Sequence, residues 1–132
     1  MNVKQILSEV RDYGEELVRS GKGPAGCDIN LTMLCGICSF EICKRLWEQG
    51  EDAELCFGDG HAFVEYDGKV LDVTATQFAD VDEVIIKDKW EAEKIWWWRG
   101  VKKRARTLEE VEEFFRGWPF DQRPHMGDWE NG

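Results

Sequence analysis

The sequence has little of what marks secreted, membrane-spanning or nucleic-acid-binding chains. Its 132 residues include only three prolines and two histidines, and no stretch comes near the roughly 20 apolar residues that a membrane span needs. The first residues carry acids throughout and lack the apolar centre of a secretion signal. Acidic residues outnumber basic ones by 27 to 17, and this net charge of −10 argues against nucleic-acid binding by the whole surface. A cytoplasmic protein without membrane contact is therefore expected.

Cysteine, by contrast, is well represented in the sequence. The five cysteines cannot all pair with one another, because their number is odd. In a chain that shows no secretion signal, free thiols in a reducing compartment are expected instead of disulfides. A reactive cysteine is therefore available.

The apolar spacing predicts an α+β fold in which N-terminal helices pack on an antiparallel sheet. One helix is expected over Val3–Arg19, and a second from Leu34 or Cys35 to Gln49, with Gly50 just beyond it. The motif TLEE at 107–110 predicts the start of a short third helix. The length fits a single domain over residues 1–132, with its core in 27–90 and a C-terminal helix and tail in 107–132.

Strands are expected at 53–57, on both sides of 67–68, at 83–87 and at 94–98. The dipeptide Asp67-Gly68 lies between two runs of β-branched and aromatic residues, which predicts a two-residue hairpin turn. With that turn, His61 and Asp72 become diagonal neighbours on one face of the sheet, within reach of a hydrogen bond. A slip of one residue would instead place them on opposite faces.

Cys35 is expected at the first turn of the second helix. Unpaired backbone N–H groups and the helix dipole favour an anion there, and the same N–H groups can stabilise an oxyanion. A nearby His61 can take the thiol proton and later protonate a leaving amine, with Asp72 holding the imidazole in place. The three residue types therefore point to nucleophilic catalysis by a thiol.

The segments CGICSFEICKRLWEQG and GHAFVEYDGKVLDVT together resemble the transglutaminase-like branch of the papain-like cysteine protease superfamily, in particular its small bacterial and phage-type members. The resemblance implies a catalytic triad of Cys35, His61 and Asp72 and acyl transfer from an amide through a thioester. Phe63 stands where a tryptophan is usual. The family's oxyanion-hole residue has no clear counterpart, and Asn30 is the nearest polar candidate.

Two other interpretations of the cysteines remain open. Cys38 is an alternative nucleophile one helical turn beyond Cys35. A zinc-stabilised interaction domain is a second alternative, although only one tight cysteine pair is present, so no metal or cofactor is expected. His125, in the tail, is expected to be solvated and without a role. The residues that could supply four zinc ligands are Cys27, Cys35, Cys38, Cys56 and His61.

The expected substrate is a peptide or protein that presents an amide group. Hydrolysis by a protease, peptidase or deamidase is favoured over transfer to an amine, because transfer requires a site that excludes water. The alternative function is a non-catalytic binding module of the same fold. Nucleic acid is an unlikely partner, and the segment that would bind it is Lys94–Arg106, with six basic residues and three tryptophans.

Overall fold

The fold is α+β, and the computed structural model describes residues 2–124 of the chain. Within those residues no helix is long and apolar enough to cross a membrane. The helices are α1 (Val3–Arg19), α2 (Cys35–Glu48), α3 (Lys89–Ala92) and α4 (Leu108–Phe114). The strands are β1 (Ala53–Phe57), β2 (Ala62–Tyr66), β3 (Lys69–Asp72), β4 (Ile85–Asp88) and β5 (Lys103–Ala105).

The five strands form one antiparallel sheet in the order β4-β3-β2-β1-β5. The predicted hairpin is confirmed: Tyr66 pairs with Lys69 across the turn, and Asp67 and Gly68 have φ angles of 52° and 73°. Positive φ at both central residues is the signature of a type I′ turn, whose twist matches that of the strands. The register that places His61 and Asp72 on one face therefore follows from this turn.

Helix α2 packs on the sheet through one stripe of residues spaced three and four apart. Cys35, Ser39, Ile42 and Leu46 are all buried. The Ser39 hydroxyl donates to the carbonyl of Ala62 at 3.1 Å, which ties the first half of the helix to the start of β2. The first turn of α2 is thus held beside the residue that precedes β2, His61.

The C-terminal end of α2 is set by glycine. Gly50 has a φ of 78°, its amide donates to the Trp47 carbonyl, and the amide of Glu51 donates to the Leu46 carbonyl. These two bonds satisfy carbonyls that the helix end would otherwise leave unpaired, as in a Schellman motif.

The two faces of the sheet carry different cores. On one face, α1, α2 and α4 bury residues that include Leu7, Val10 and Phe115 against the strands. On the other face, Phe63 and Val70 pack with Trp97 and Trp98. Residues outside 27–90 therefore contribute much of the buried apolar surface.

The predictions were only partly right for the chain between 83 and 105. The strand expected at 83–87 is β4, two residues later at its start. The segment expected as a strand at 94–98 contains a 3₁₀ turn, Trp96–Trp98, which buries both Trp97 and Trp98 and leaves Trp96 exposed. A strand would alternate its side chains, whereas this turn directs two adjacent indoles inward. The fifth strand, β5, was not predicted.

The third predicted helix is α4, with Thr107 at its N-cap position. The Glu110 side chain accepts a hydrogen bond from the backbone amide of Arg106, one residue before the usual capping-box donor. After α4 the chain crosses the N-terminal end of α2 as residues 115–122, called here the C-terminal strap. His125 and the rest of the predicted tail lie outside the described residues.

Candidate active site

The loop before α2 holds Cys35 at the first helical position. The Asp28 side chain accepts bonds from the amide of Asn30 and the hydroxyl of Thr32, both at 2.9 Å. Leu31 and Met33 adopt positive φ angles of 62° and 71°, which are strained for residues with a Cβ. The backbone is therefore bent sharply just before the helix, and it presents the Cys35 side chain at the first turn.

The backbone amides of Cys35, Gly36 and Ile37 form the N-terminal end of α2. Among the residues that the structure describes, none of these three amides has a hydrogen-bond acceptor, and no side chain caps the helix. Such amides are available to an anion or to the oxygen of a polarised carbonyl.

His61 and Asp72 form the hydrogen bond that the hairpin register predicted. Nε2 of His61 lies 2.7 Å from Oδ2 of Asp72, and both side chains are fully buried. Because the carboxylate can only accept, the proton of this bond resides on Nε2. The tautomer of a neutral His61 is therefore fixed, with Nδ1 left to act as a base.

Asp72 is held by three donors besides His61. The amide and hydroxyl of Thr74 donate to Oδ1 at 2.8 and 3.1 Å, and the indole Nε1 of Trp98 donates to Oδ2 at 2.8 Å. A buried carboxylate with this many donors stays ionised and cannot rotate freely. Asp72 thus orients the imidazole rigidly.

The remaining ring nitrogen of His61 is available to Cys35. Nδ1 is buried and lacks a partner with hydrogen-bond geometry among the described residues, and the Cys35 thiol interacts with this imidazole. The Phe78 ring meets the imidazole edge to face, with the two ring centroids 4.8 Å apart, and the Phe63 ring stacks with the imidazole. The imidazole is therefore enclosed between a carboxylate, a thiol and two aromatic rings.

The two members of the buried pair shift each other's pKa in opposite directions. Burial by itself lowers the pKa of His61, but the charge and hydrogen bond of Asp72, together with the Cys35 thiol, outweigh it and raise that pKa above its usual 6.5. Burial by itself raises the pKa of Asp72, but His61, Thr74 and Trp98 lower it below its usual 3.8. Near neutral pH, His61 is therefore held as an imidazolium.

These shifts predict how stability depends on pH. The stabilisation from His61 is complete below its unfolded pKa of 6.5 and is lost as pH rises through the raised folded value. That from Asp72 is complete above its unfolded pKa of 3.8 and is lost as pH falls through the lowered folded value. We expect the urea-derived free energy of unfolding to fall from about pH 6.5 to pH 9, and to fall less steeply in Asp72→Asn. Parallel slopes in the two proteins would contradict the pairing.

Of the three predicted catalytic residues, only Cys35 reaches the surface. It is 9% exposed and lines a cleft of about 280 Å³ between the end of β1, the loops at Gly60 and Gln77, and the C-terminal strap. A larger cavity of about 570 Å³, beside β4, has no cysteine, histidine, serine or threonine among the described residues that line it. The small cleft is therefore the one at which thiol chemistry can take place.

Asn30 does not line this cleft, contrary to its expected role. Its amide donates to Asp28, its carbonyl accepts from the Thr76 hydroxyl, and the residue is exposed. The tight loop before α2 carries it away from Cys35. Neutral amide groups at the cleft come instead from Gln77 and Gln122.

Cys38 is poorly suited to act as a nucleophile. It is fully buried, and a Cβ on Gly14 of α1 would meet its sulfur at 2.9 Å, so the thiol faces α1. Burial, with the nearby Cys35 and Asp72, raises the pKa of Cys38 far above that of a free thiol.

The zinc site considered from the sequence is not assembled. Within residues 2–124, the one cluster of three or more possible metal ligands is Glu54, Cys56 and Glu65. The guanidinium of Arg104 already donates to all three side chains. Cys27, Cys35, Cys38 and His61 take no part in it.

The basic segment Lys94–Arg106 is largely paired with acids. Arg104 bridges Glu54 and Glu65, and the other pairs join Arg106 to Glu54, Lys102 to Asp59 and Lys94 to Glu91. Two of the three tryptophans are buried. Part of the charge and aromatic surface that suggested nucleic-acid contact is therefore engaged within the protein.

Arg11 is a positioning residue that the sequence reasoning missed. It is only 5% exposed, and its guanidinium donates to the carbonyls of Val73 and Ile29 and to the Thr76 hydroxyl, at 2.8–3.0 Å. It thereby joins α1 to the loop before α2 and to the segment after Asp72. Its place one helical turn after Leu7, on the buried stripe, was the available signal.

Trp98 and the C-terminal strap were also missed as parts of the site. Both are brought to it from more than 20 residues beyond Asp72 by tertiary contacts that local patterns do not encode.

In comparisons with protein-family models, with curated proteins and with solved structures, the chain matches none of them.

Proposed function

We propose that the protein is a cysteine-dependent acyl-transfer enzyme that cleaves amide bonds through a thioester and releases the acyl group to water. Its core would be of the transglutaminase-like, papain-related kind. The observation that carries the proposal is that His61 is buried, with Asp72 hydrogen-bonded to Nε2, Nδ1 left without a partner among the described residues, and the Cys35 thiol interacting with the ring. Cys35 alone opens to the cleft, as a nucleophile must.

In the first half of the reaction, the Cys35 sulfur attacks the carbonyl carbon of the substrate amide. The charge that develops on the carbonyl oxygen is met by the unpaired amides at the start of α2. The imidazolium of His61 gives its proton to the leaving nitrogen, the C–N bond breaks, and an amine departs. Cys35 is left as a thioester.

In the second half, neutral His61 takes a proton from a water molecule as that water attacks the thioester carbonyl. The C–S bond breaks, the carboxylic acid product leaves, and the imidazolium is restored beside the Cys35 thiolate. Asp72 keeps the ring in one orientation throughout, because Thr74 and Trp98 fix the carboxylate.

The proposal predicts an activated thiol. We expect iodoacetamide to alkylate Cys35 at about pH 6 about tenfold or more faster in the wild type than in His61→Ala, because an unactivated thiol is ionised only near pH 8.5. Peptide mapping by mass spectrometry separates Cys35 from the other four cysteines, all free and three of them buried. His61→Gln, whose amide can still donate to Asp72, tests whether impaired folding alone explains the slower alkylation of Cys35 in His61→Ala.

A pH profile of alkylation that is the same in all three proteins would sink the proposal. The fold would then serve as a binding module without catalysis.

A further inference from the structure

The cleft above Cys35 has walls of a consistent chemical kind. Its apolar surface comes from Met33, Phe57, Trp118 and Pro119, and its polar side-chain groups besides the thiol are the amides of two glutamines. Among residues 2–124, no lysine, arginine, aspartate or glutamate lines it. Away from the Cys35–His61 pair, a charged group inside this cleft would therefore find no counter-ion among the described residues.

The size of the cleft limits what enters it. A volume of about 280 Å³ lies at the lower end of the range of roughly 300–1,000 Å³ typical of pockets that enclose a whole small ligand. One amino-acid side chain and its adjoining amide fit such a space better than a cofactor or an oligosaccharide.

The aromatic wall of the cleft is rigid. The Trp118 ring packs edge to face on Phe57 and Phe115, with centroids 5.1 and 4.9 Å apart. Its backbone carbonyl accepts two bonds from the Arg123 guanidinium. A Cβ on Gly36 would come within 2.8 Å of both Phe115 and Trp118, so the strap rests directly on the backbone of α2. The wall is thus formed before any substrate binds.

The polar groups in the cleft suit a neutral peptide bond. The Gln77 amide already donates to the carbonyl of Thr74 at 3.0 Å, and its oxygen remains free to accept. Gln122 also lines the cleft, and its side-chain amide has no hydrogen-bond partner among residues 2–124. A primary amide can donate and accept, so it matches the N–H and C=O of a bound peptide.

We infer that the acyl donor is a peptide that places an uncharged apolar side chain, aromatic or long aliphatic, against Phe57 and Trp118 beside the scissile amide. This inference rests on the proposed function, because it takes Cys35 as the nucleophile. Acidic and basic side chains are excluded by the cost of burying an unpaired charge. The surface charge of −10 acts in addition and from a distance, drawing basic peptides closer at low salt.

The test uses acetylated amino-acid chloromethyl ketones with phenylalanine, leucine, aspartate or lysine side chains. In each, the Cys35 sulfur displaces chloride and forms a stable S–C bond. Second-order rates are measured at about 0.5 M salt to screen the surface charge, and each is divided by the reagent's rate with glutathione. We expect the phenylalanine and leucine reagents to be about tenfold or more faster than the charged ones.

Variants of Trp118 test whether the aromatic wall causes the preference for apolar reagents. Trp118→Ala is expected to shrink the advantage of the phenylalanine reagent to a few-fold, whereas Trp118→Phe keeps most of it. Trp90→Ala, at a tryptophan that is 64% exposed and outside the cleft, should change nothing.

The outcomes separate this inference from the proposed function. Fast alkylation of Cys35 by iodoacetamide at about pH 6, combined with equal rates for the four reagents, would overturn the substrate class and leave the enzyme proposal intact. A preference that survives in Trp118→Ala would overturn the assignment to the strap. An unreactive Cys35 would overturn both.

Discussion

Replacing Asp72 with alanine is expected to lower the free energy of unfolding by about 3–5 kcal/mol, the usual cost of removing one partner of a buried ion pair. The substitution leaves the buried His61 without its counter-ion, so the ring must either carry an unpaired charge or give up its proton at a site with no solvent access. It also removes the acceptor for Thr74 and for the indole of Trp98. Typical domains are stable by only about 5–15 kcal/mol, so the loss would be a large fraction of the total.

A double-mutant cycle separates the ion pair from the rest of this loss. In Asp72→Ala combined with His61→Phe, no charge is left unpaired, so the double variant is expected to lose less than the two single variants summed. The stability of Asp72→Asn should lie between those of the wild type and Asp72→Ala. The asparagine can still accept hydrogen bonds through its oxygen, but its amide nitrogen is a donor and must face another donor on one side or the other.

Urea unfolding at pH 7, followed by circular dichroism, measures each member of the cycle. Single-variant losses that simply add in the double variant would show that His61 and Asp72 do not stabilise each other. Because both are buried at the thiol, Asp72→Ala should also abolish the fast alkylation of Cys35.

The second large effect is expected for Arg11→Met. The methionine keeps most of the buried stem but removes the donors to Val73, Ile29 and Thr76. The Val73 carbonyl would be left buried without a partner, at a cost of about 1–3 kcal/mol. The bonds to Thr76 and Ile29, which are only partly buried, add less, so a loss of about 2 kcal/mol or more in the free energy of unfolding is expected. Cys35 should also alkylate more slowly, because Arg11 fixes both the loop before α2 and the segment after Asp72.

Arg19→Met is the matched control on the same helix. Arg19 is mostly exposed and, within residues 2–124, pairs with Glu16 alone, so its loss should change stability by about 0.5 kcal/mol or less. Thermal and urea unfolding of both variants provide the measurement. Equal effects of the two substitutions would mean that Arg11 contributes no more than a surface arginine.

Local chemistry explains which parts of the fold could be predicted. The turn at Asp67-Gly68 requires two residues with positive φ, and the alternation along each strand then fixes the positions of His61 and Asp72. Helix α2 was predictable for a similar reason, since its apolar stripe and the glycine after it are short-range signals. Two of the three proposed catalytic groups thus follow from one turn.

Other parts depend on contacts that no local pattern announces. The strand β5 is only three residues long and charged, and it exists because β1 offers it an edge. Trp98 points inward because its indole donates to Asp72 and packs on the apolar face of the sheet. Its direction therefore could not be deduced from the run of three tryptophans. The same holds for the strap, which α2 admits only because position 36 is glycine.

The order of strands also implies an order of assembly in time. Strands β1 to β4 are each adjacent in the sheet to their neighbour in sequence, and His61 and Asp72 are only 11 residues apart. Closing a loop between residues so near in sequence is fast, and β-hairpins form within roughly 1–10 μs. The contact between β1 and β5 spans 48 residues and carries a larger entropic cost. The acid–base pair therefore belongs to the part of the chain whose contacts close short loops, whereas the strap above Cys35 depends on contacts that close much longer ones.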